Sequence, residues 1–135
     1  MGRARLGVLT VLLLAGVLVG CAPLPPEVSP SAALPPAKPV GDLKTIAGVW
    51  EGTVTLRGRP SRPYRLVINE DGSWEADYEG GKPVGSMRIE GGRIHSLSKT
   101  TGLGYEFTLH ESGAQRVLRG VSYEKTVTIE LRPAR

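Results

Sequence analysis

Few side chains in this sequence could do covalent or acid–base chemistry, and their spacing limits what they can do. His95 and His110 are its two histidines. They fall on different predicted strands among outward-facing residues, with Ile94 and Leu109 as their inward neighbours. Neither has a third ligand at useful spacing, so the expectation is two solvent-facing imidazoles and no metal site. Glu75, Asp77 and Glu79 recur at every second position, which on a strand places three carboxylates on one face, about 7 Å apart. Such a row could collect Ca²⁺ or a basic partner; the expected role is the wet side of a strand, screened by cations across from it. Paired acids of the glycosidase type would need one carboxyl in an apolar pocket, and no neighbour marks one. The sequence contains no Gly-x-Ser-x-Gly elbow, no His–Asp pairing and no phosphate loop. It therefore presents no candidate catalytic residue, and no enzyme is expected.

The basic residues are more concentrated. Arg57, Arg59, Arg62 and Arg65 stand in RGRPSRPYR, where Pro60 and Pro63 fix φ and make a stiff turn. The expected role is a solvated hairpin tip whose charges oppose aggregation. The alternative is a contact with anionic headgroups or lipopolysaccharide phosphates, where each cation near the surface contributes about 1 kcal/mol. The whole chain carries 17 basic and 13 acidic residues, a net charge of +4. From residue 42 onward the counts are 14 and 12, a difference of +2. That weak, mixed charge gives no reason to expect nucleic acid as a partner.

Cys21 is the single cysteine, which leaves no partner for a disulfide within the chain. It closes the run Leu18-Val19-Gly20-Cys21 at the end of an apolar stretch that begins at Leu6 and follows Arg3 and Arg5. The fourteen residues 6–19 are too few for a spanning helix, which needs about 20, so the segment reads as a signal. This arrangement resembles the lipobox of bacterial lipoproteins. The resemblance implies diacylglycerol on the Cys21 thiol, cleavage before it and acylation of the new amine, so residues 1–20 are a signal peptide. Two or three acyl chains on one residue would make the anchor permanent, since each buried methylene contributes about 0.8 kcal/mol. In the same family, Asp directly after the cysteine favours the inner membrane. Ala22 stands there, which implies a lipid-anchored protein on the periplasmic face of the outer membrane. Apart from that covalent lipid, no cofactor is expected.

Residues 22–41 contain seven prolines in twenty positions. Such a stretch cannot bury a core and favours polyproline-II. At about 3.1 Å per residue it would reach roughly 60 Å. Residues 21–41 are thus read as the lipidated cysteine and its tether, with a docking ligand for an aromatic groove as the alternative.

The remaining residues, 42–135, suffice for one domain. Gly and Asp-Gly breaks recur every 8 to 14 residues and no helical stripe survives a count. Strands are predicted near 47–57, 63–70, 73–79, 84–90, 93–99, 103–111, 116–123 and 125–132. Trp74, Ala76 and Tyr78 alternate with Ser73, Glu75, Asp77 and Glu79; Tyr105, Phe107 and Leu109 alternate with Glu106, Thr108 and His110. One apolar and one polar face per strand is the pattern of an antiparallel sheet wetted on one side. Asp71-Gly72 predicts a type I′ hairpin and Gly91-Gly92 a second. The fold class is all-β: an antiparallel meander of about eight strands closing as a barrel, with an open sandwich as the alternative.

Gly48-Val49-Trp50 opens the first predicted strand. Gly-x-Trp at that place resembles the entry motif of lipocalins and the wider calycin barrels. The resemblance implies that Trp50 packs across a closed barrel end, that Gly48 allows close approach beneath it, and that an arginine of the last strand, here Arg132, covers the indole. Eight-stranded barrels are filled or just able to hold one small ligand. With so many bulky inward groups, the filled state is expected. A pocket, if present, would be lined by Trp50, Tyr64, Trp74, Tyr78, Met87 and Tyr105. The expected function is a non-enzymatic β-barrel module of the cell envelope that binds a partner protein or envelope component. Its alternatives are a lipocalin-like carrier of a small apolar ligand, and an inhibitor or assembly factor. A cavity of roughly 300 Å³ or more would favour the carrier.

Overall fold

The computed structural model of the protein describes residues 33–135. The leader, Cys21 and most of the proline-rich stretch lie outside the described residues. The strands are β1 (Ala37–Lys38), β2 (Gly48–Leu56), β3 (Arg62–Ile68), β4 (Ser73–Tyr78), β5 (Val84–Glu90), β6 (Arg93–Ser98), β7 (Gly104–Ser112), β8 (Gln115–Ser122) and β9 (Val127–Pro133). From β2 to β9 each strand pairs antiparallel with the next in sequence. β2 also pairs with β9, from Trp50↔Pro133 to Leu56↔Val127. The meander therefore closes into an eight-stranded barrel and is not an open sandwich. Closure satisfies the edges that a flat sheet would expose.

The alternation in the sequence sets the two faces. Trp50, Val54, Leu66, Ile68, Trp74, Ala76, Phe107, Leu109, Ile129 and Leu131 are buried in one core, with Tyr78, Tyr105 and Val127 partly buried against it. Met87 and Ile94 fill the space between them. Gly85 and Gly120 make room for rings: a Cβ on Gly85 would strike the Trp74 indole, and one on Gly120 would lie 2.5 Å from Phe107.

Three local expectations are corrected. The stretch read as tether is in part sheet. β6 begins at Arg93 while β7 runs on to Ser112, and the edge of β7 left beyond β6 is taken by β1, with Ala37 opposite His110 and Lys38 opposite Leu109. Pro36 accepts from the Glu111 amide at 3.2 Å, and the Val40 amide donates to Gly92 at 3.1 Å. Val40 and Ile46, at 2% and 0% exposure, then enter the core. The packed body thus starts upstream of residue 42, because an unpaired sheet edge and a gap at the barrel end are both filled by this strap.

Gly48 has φ of +125°, and a Cβ there would meet nothing within 4 Å. The glycine is required by its backbone angle, not by close approach. Asp71-Gly72 is not a type I′ pair, since Lys125 is the one non-glycine with positive φ among the described residues. The Asn69 amide donates to Ser73 at 2.9 Å and the Gly72 amide to Asn69 at 3.0 Å, which makes a three-residue loop with Gly72 in the left-handed region. Asp71 stays at negative φ because its carboxylate accepts from the Ser73 amide at 2.8 Å and hydroxyl at 2.6 Å. Those bonds hold its carboxyl below the usual range. Gly91 and Gly92 both have positive φ, at 58° and 77°, as a two-residue I′ turn needs.

Candidate functional site

The two ends of the barrel differ. One end is plugged by the strap and by the 3-10 turn Leu43–Thr45, which Asp42 caps by accepting from the Lys44 amide at 2.9 Å. Trp50 is 2% exposed there and donates from Nε1 to the Ile46 carbonyl at 2.8 Å. The arginine that covers it comes from β8. Arg116 lies 5.4 Å from the indole centroid and donates to the Thr45 carbonyl at 2.6 Å. Arg132 is exposed and opposite Glu51, on the outer face. Alternation decides between them: Leu131 and Pro133 flank Arg132 on β9, Leu131 points inward, and Arg132 must therefore point out.

The other end is open. Tyr64, Trp74, Tyr78 and Tyr105 line a cavity of about 110 Å³ there, together with Leu56, Pro83, Thr101 and Leu103 from the surrounding rim. Four of the six residues predicted for a pocket meet in it. The other two do not: Trp50 sits in the plugged end and Met87 is packed in the core, away from the cavity. The rim residues escape strand alternation because they belong to turns and strand ends. Their signal is topological, since in an up-and-down meander every second connection falls at the same end.

The cavity is mainly apolar, and its polar groups are few. Tyr64 and Tyr78 are cross-strand partners with centroids 5.6 Å apart. Burial pushes the Tyr64 phenol well above the usual tyrosine range, and the neighbouring Tyr105 and Tyr78 add to this. Burial, then Tyr78, raises Tyr105 as well. Ser98 is buried, and its hydroxyl accepts from the Thr101 amide at 3.2 Å, which fixes the β6–β7 turn at the rim. Trp74, 5% exposed, has its Nε1 buried with no hydrogen-bond partner. That nitrogen faces packed protein and not the cavity, which leaves the phenol groups and Ser98 as the polar atoms near the mouth. A wider and more open depression of about 600 Å³ adjoins it on the surface, where Gly52, Pro63, Tyr64 and Tyr78 are flanked by Glu51, Arg65, Asp77 and Glu79.

The rim is basic. The open-end connections 57–61, 79–83, 99–103 and 123–126 carry Arg57, Arg59, Lys82, Lys99 and Lys125 against Glu79 and Glu124. The three hairpin turns at the plugged end carry Glu70 and Asp71 and no cation. Among the described residues, Lys82 pairs with Asp77 at 3.0 Å and Arg62 with Glu79 at 2.7 Å. Part of the acidic row on β4 is thereby screened, and Arg65 reaches Glu51 at 3.5 Å. Arg57, Arg59, Lys99 and Lys125 enter no ion pair among the described residues.

Neither histidine is free in solvent. The His95 Nδ1 lies 2.8 Å from the Tyr123 hydroxyl, and the His110 Nδ1 lies 2.8 Å from the Pro35 carbonyl. His110 thus helps hold the strap, a role no reading of strand alternation could find because its partner is 75 residues away. Among the described residues, no three His, Cys, Asp or Glu side chains are grouped to hold a metal ion, and no helix is long and apolar enough to cross a membrane. The chain matches no family model, no curated protein and no solved structure.

Proposed function

We propose that the protein is an envelope lipoprotein, held by lipid on Cys21 at the periplasmic face of the outer membrane, whose barrel is a non-enzymatic binding module that engages its partner at the open end. The observation that carries this reading is the contrast between the ends. One is sealed by Val40, Ile46, Trp50 and Arg116; the other exposes an aromatic mouth over about 110 Å³. Small-molecule sites usually occupy about 300–1,000 Å³. A mouth this size takes one side chain of a larger partner, which favours the module over the carrier. The strap belongs to the sealed end, where Pro35 and Val40 lie against β7 and Gly92.

Native mass spectrometry of the protein purified from its membrane tests this. The expected spectrum is the chain with its covalent lipid and no second small molecule. A stoichiometric apolar ligand riding with the protein would replace the module with the carrier. Cys21→Ser tests the anchor separately: the variant should remain uncleaved and take up no fatty-acid label.

A further inference from the structure

The large apolar side chains left exposed among the described residues, Leu56, Val84, Leu97 and Tyr123, all stand near the open end. Leu56 lines the mouth; the other three face outward from the barrel wall. Alternation sets their direction, since Gly85, Ser96, Ser98 and Ser122 beside them are buried. The backbone joins the three into one strip across β5 to β8. The Lys99 amide donates to the Val84 carbonyl at 2.8 Å and the Tyr123 amide to the Gly104 carbonyl at 3.1 Å, while Leu97 is the register partner of Gly104. The strip continues to β2, where the Arg57 amide donates to the Thr126 carbonyl at 2.8 Å. Tyr123 is 56% exposed, yet its ring is fixed. It lies over Gly104, where a Cβ would strike it, and its hydroxyl is 2.8 Å from His95 Nδ1. Arg57, Arg59, Lys99 and Lys125 flank these groups and enter no ion pair among the described residues. Against them stand Glu124 within the strip and Glu75, opposite Val84 at its edge. Glu106, farther from the rim, is already paired with Arg93 at 3.1 Å.

We infer that this strip is a membrane-contact surface, which lays the outer wall of β5–β8 on an anionic phospholipid bilayer. Val84, Leu97 and the Tyr123 ring enter the headgroup layer. Arg57, Arg59, Lys99 and Lys125 meet its phosphates. Apolar groups flanked by excess cations are what an interfacial surface requires, and a tyrosine suits that depth because its ring is apolar and its hydroxyl polar. A second copy of the chain is a poor occupant, because the same cations would face one another. A protein partner fits less well than lipid. The outer wall of a barrel is convex and gives no socket for a side chain, whereas a bilayer moulds to it. The strip is separate from the mouth and the inference does not rest on it. Its consequence for the mouth is position: the open end stands beside the lipid, facing whatever is held at the same surface.

The full chain, purified from its membrane in detergent and labelled with ¹⁵N, is reconstituted with lipid nanodiscs that carry a trace of nitroxide-headgroup lipid. One set of discs is phosphatidylcholine alone; the other holds phosphatidylcholine and phosphatidylglycerol in equal parts. The expected result is broadening of the Val84, Leu97 and Tyr123 amide resonances on the anionic discs, with Glu70 and Gly92 at the sealed end left sharp. Broadening on the zwitterionic discs should be much weaker. Lys99→Gln with Lys125→Gln should lower the ratio of docked to free barrel about fivefold for each charge removed, and the same spectra show that the variant is folded. Val84→Ser with Leu97→Ser should weaken the broadening on both kinds of disc. Equal broadening on the two sets overturns the inference, as does broadening led by the sealed end or a strip that stays sharp on both. If the strip resonances move with protein concentration in nitroxide-free detergent, a second copy covers it and the lipid assignment is wrong. A benzophenone amino acid at Leu97 that yields a protein adduct in living cells would give the strip to a protein partner and overturn it equally. None of these outcomes touches the module reading, which stands or falls on what accompanies the protein in its native mass spectrum.

Discussion

Arg116 spans the sealed end of the barrel as a clamp on Trp50. Its guanidinium lies 5.4 Å from the indole centroid, while its nitrogens reach the Thr45 carbonyl at 2.6 Å and Glu111 at 3.1 Å. Glu111 in turn accepts from Lys38 of the strap at 3.1 Å. One arginine therefore joins the 3-10 turn, the core tryptophan and the N-terminal strap. Replacing it with methionine keeps the stem but loses the charged contacts, and should destabilise the protein by about 2 kcal/mol. Arg132→Met, on the outer face, should stay within about 0.5 kcal/mol. Urea unfolding of the two variants measures the difference. Equal effects would mean that Arg116 does not hold this end.

The two tryptophans differ in one hydrogen bond. Trp50 donates to Ile46; Trp74 donates to nothing. Both change to phenylalanine with a similar loss of volume, but Trp50→Phe also strands a buried carbonyl. It should cost about 1–3 kcal/mol more than Trp74→Phe in the same unfolding experiment. A larger loss for Trp74 would show that its indole nitrogen is paired.

The strap is expected to behave as core at Val40 and as an ion-paired latch at Lys38. Val40→Ala should cost about 1–3 kcal/mol, since a 2% exposed side chain is truncated; a plain spacer would not register the change. The Lys38 ammonium foremost, with help from Arg116, holds the Glu111 carboxyl below the usual glutamate range. A lowered folded-state pKa stabilises above the unfolded value and is lost as pH falls through the folded one. Hydrogen exchange at the Glu111 amide should therefore accelerate below the ordinary glutamate range before the rest of β7 responds. Simultaneous release of all β7 amides would contradict a separate latch.

Tyr64 sets the alkaline limit. Its phenol is raised by burial, so the folded state keeps a proton that the unfolded chain releases near pH 10. Stability is then whole below that pH and declines as pH rises above it. Tyr64→Phe should flatten the alkaline arm of the melting temperature against pH and leave the neutral range nearly unchanged. An unaltered alkaline arm would place the proton release elsewhere.

Strand alternation made the barrel legible, because each inward row from Trp74-Ala76-Tyr78 to Val127-Ile129-Leu131 names its own face. Closure followed from short turns between sequential strands. What alternation could not reach was anything whose partner is distant or local to the backbone. β1 sits in a proline-rich run with no period, and its place is fixed by the unpaired edge of β7. Val117 is fully buried beside Leu118, although neighbours on a strand face opposite ways; it pairs with His110, which the strap covers. At the site, the aromatic wall was readable from inward rows, and the assignment of Trp50 and Met87 to it failed because a row says which face a residue takes and not at which height along the barrel it stands. The cations of the four open-end connections needed the closed topology to be seen as belonging to one end.

The central claim is that binding happens at the open end. Site-specific photocrosslinking in living cells addresses it most directly, with a benzophenone amino acid at Leu103 in the mouth and, separately, at Asn69 in the β3–β4 turn of the sealed end. Binding at the open end requires a discrete adduct to one envelope component from position 103, and none from position 69. An adduct from the sealed end alone, or equal adducts from both, would contradict it.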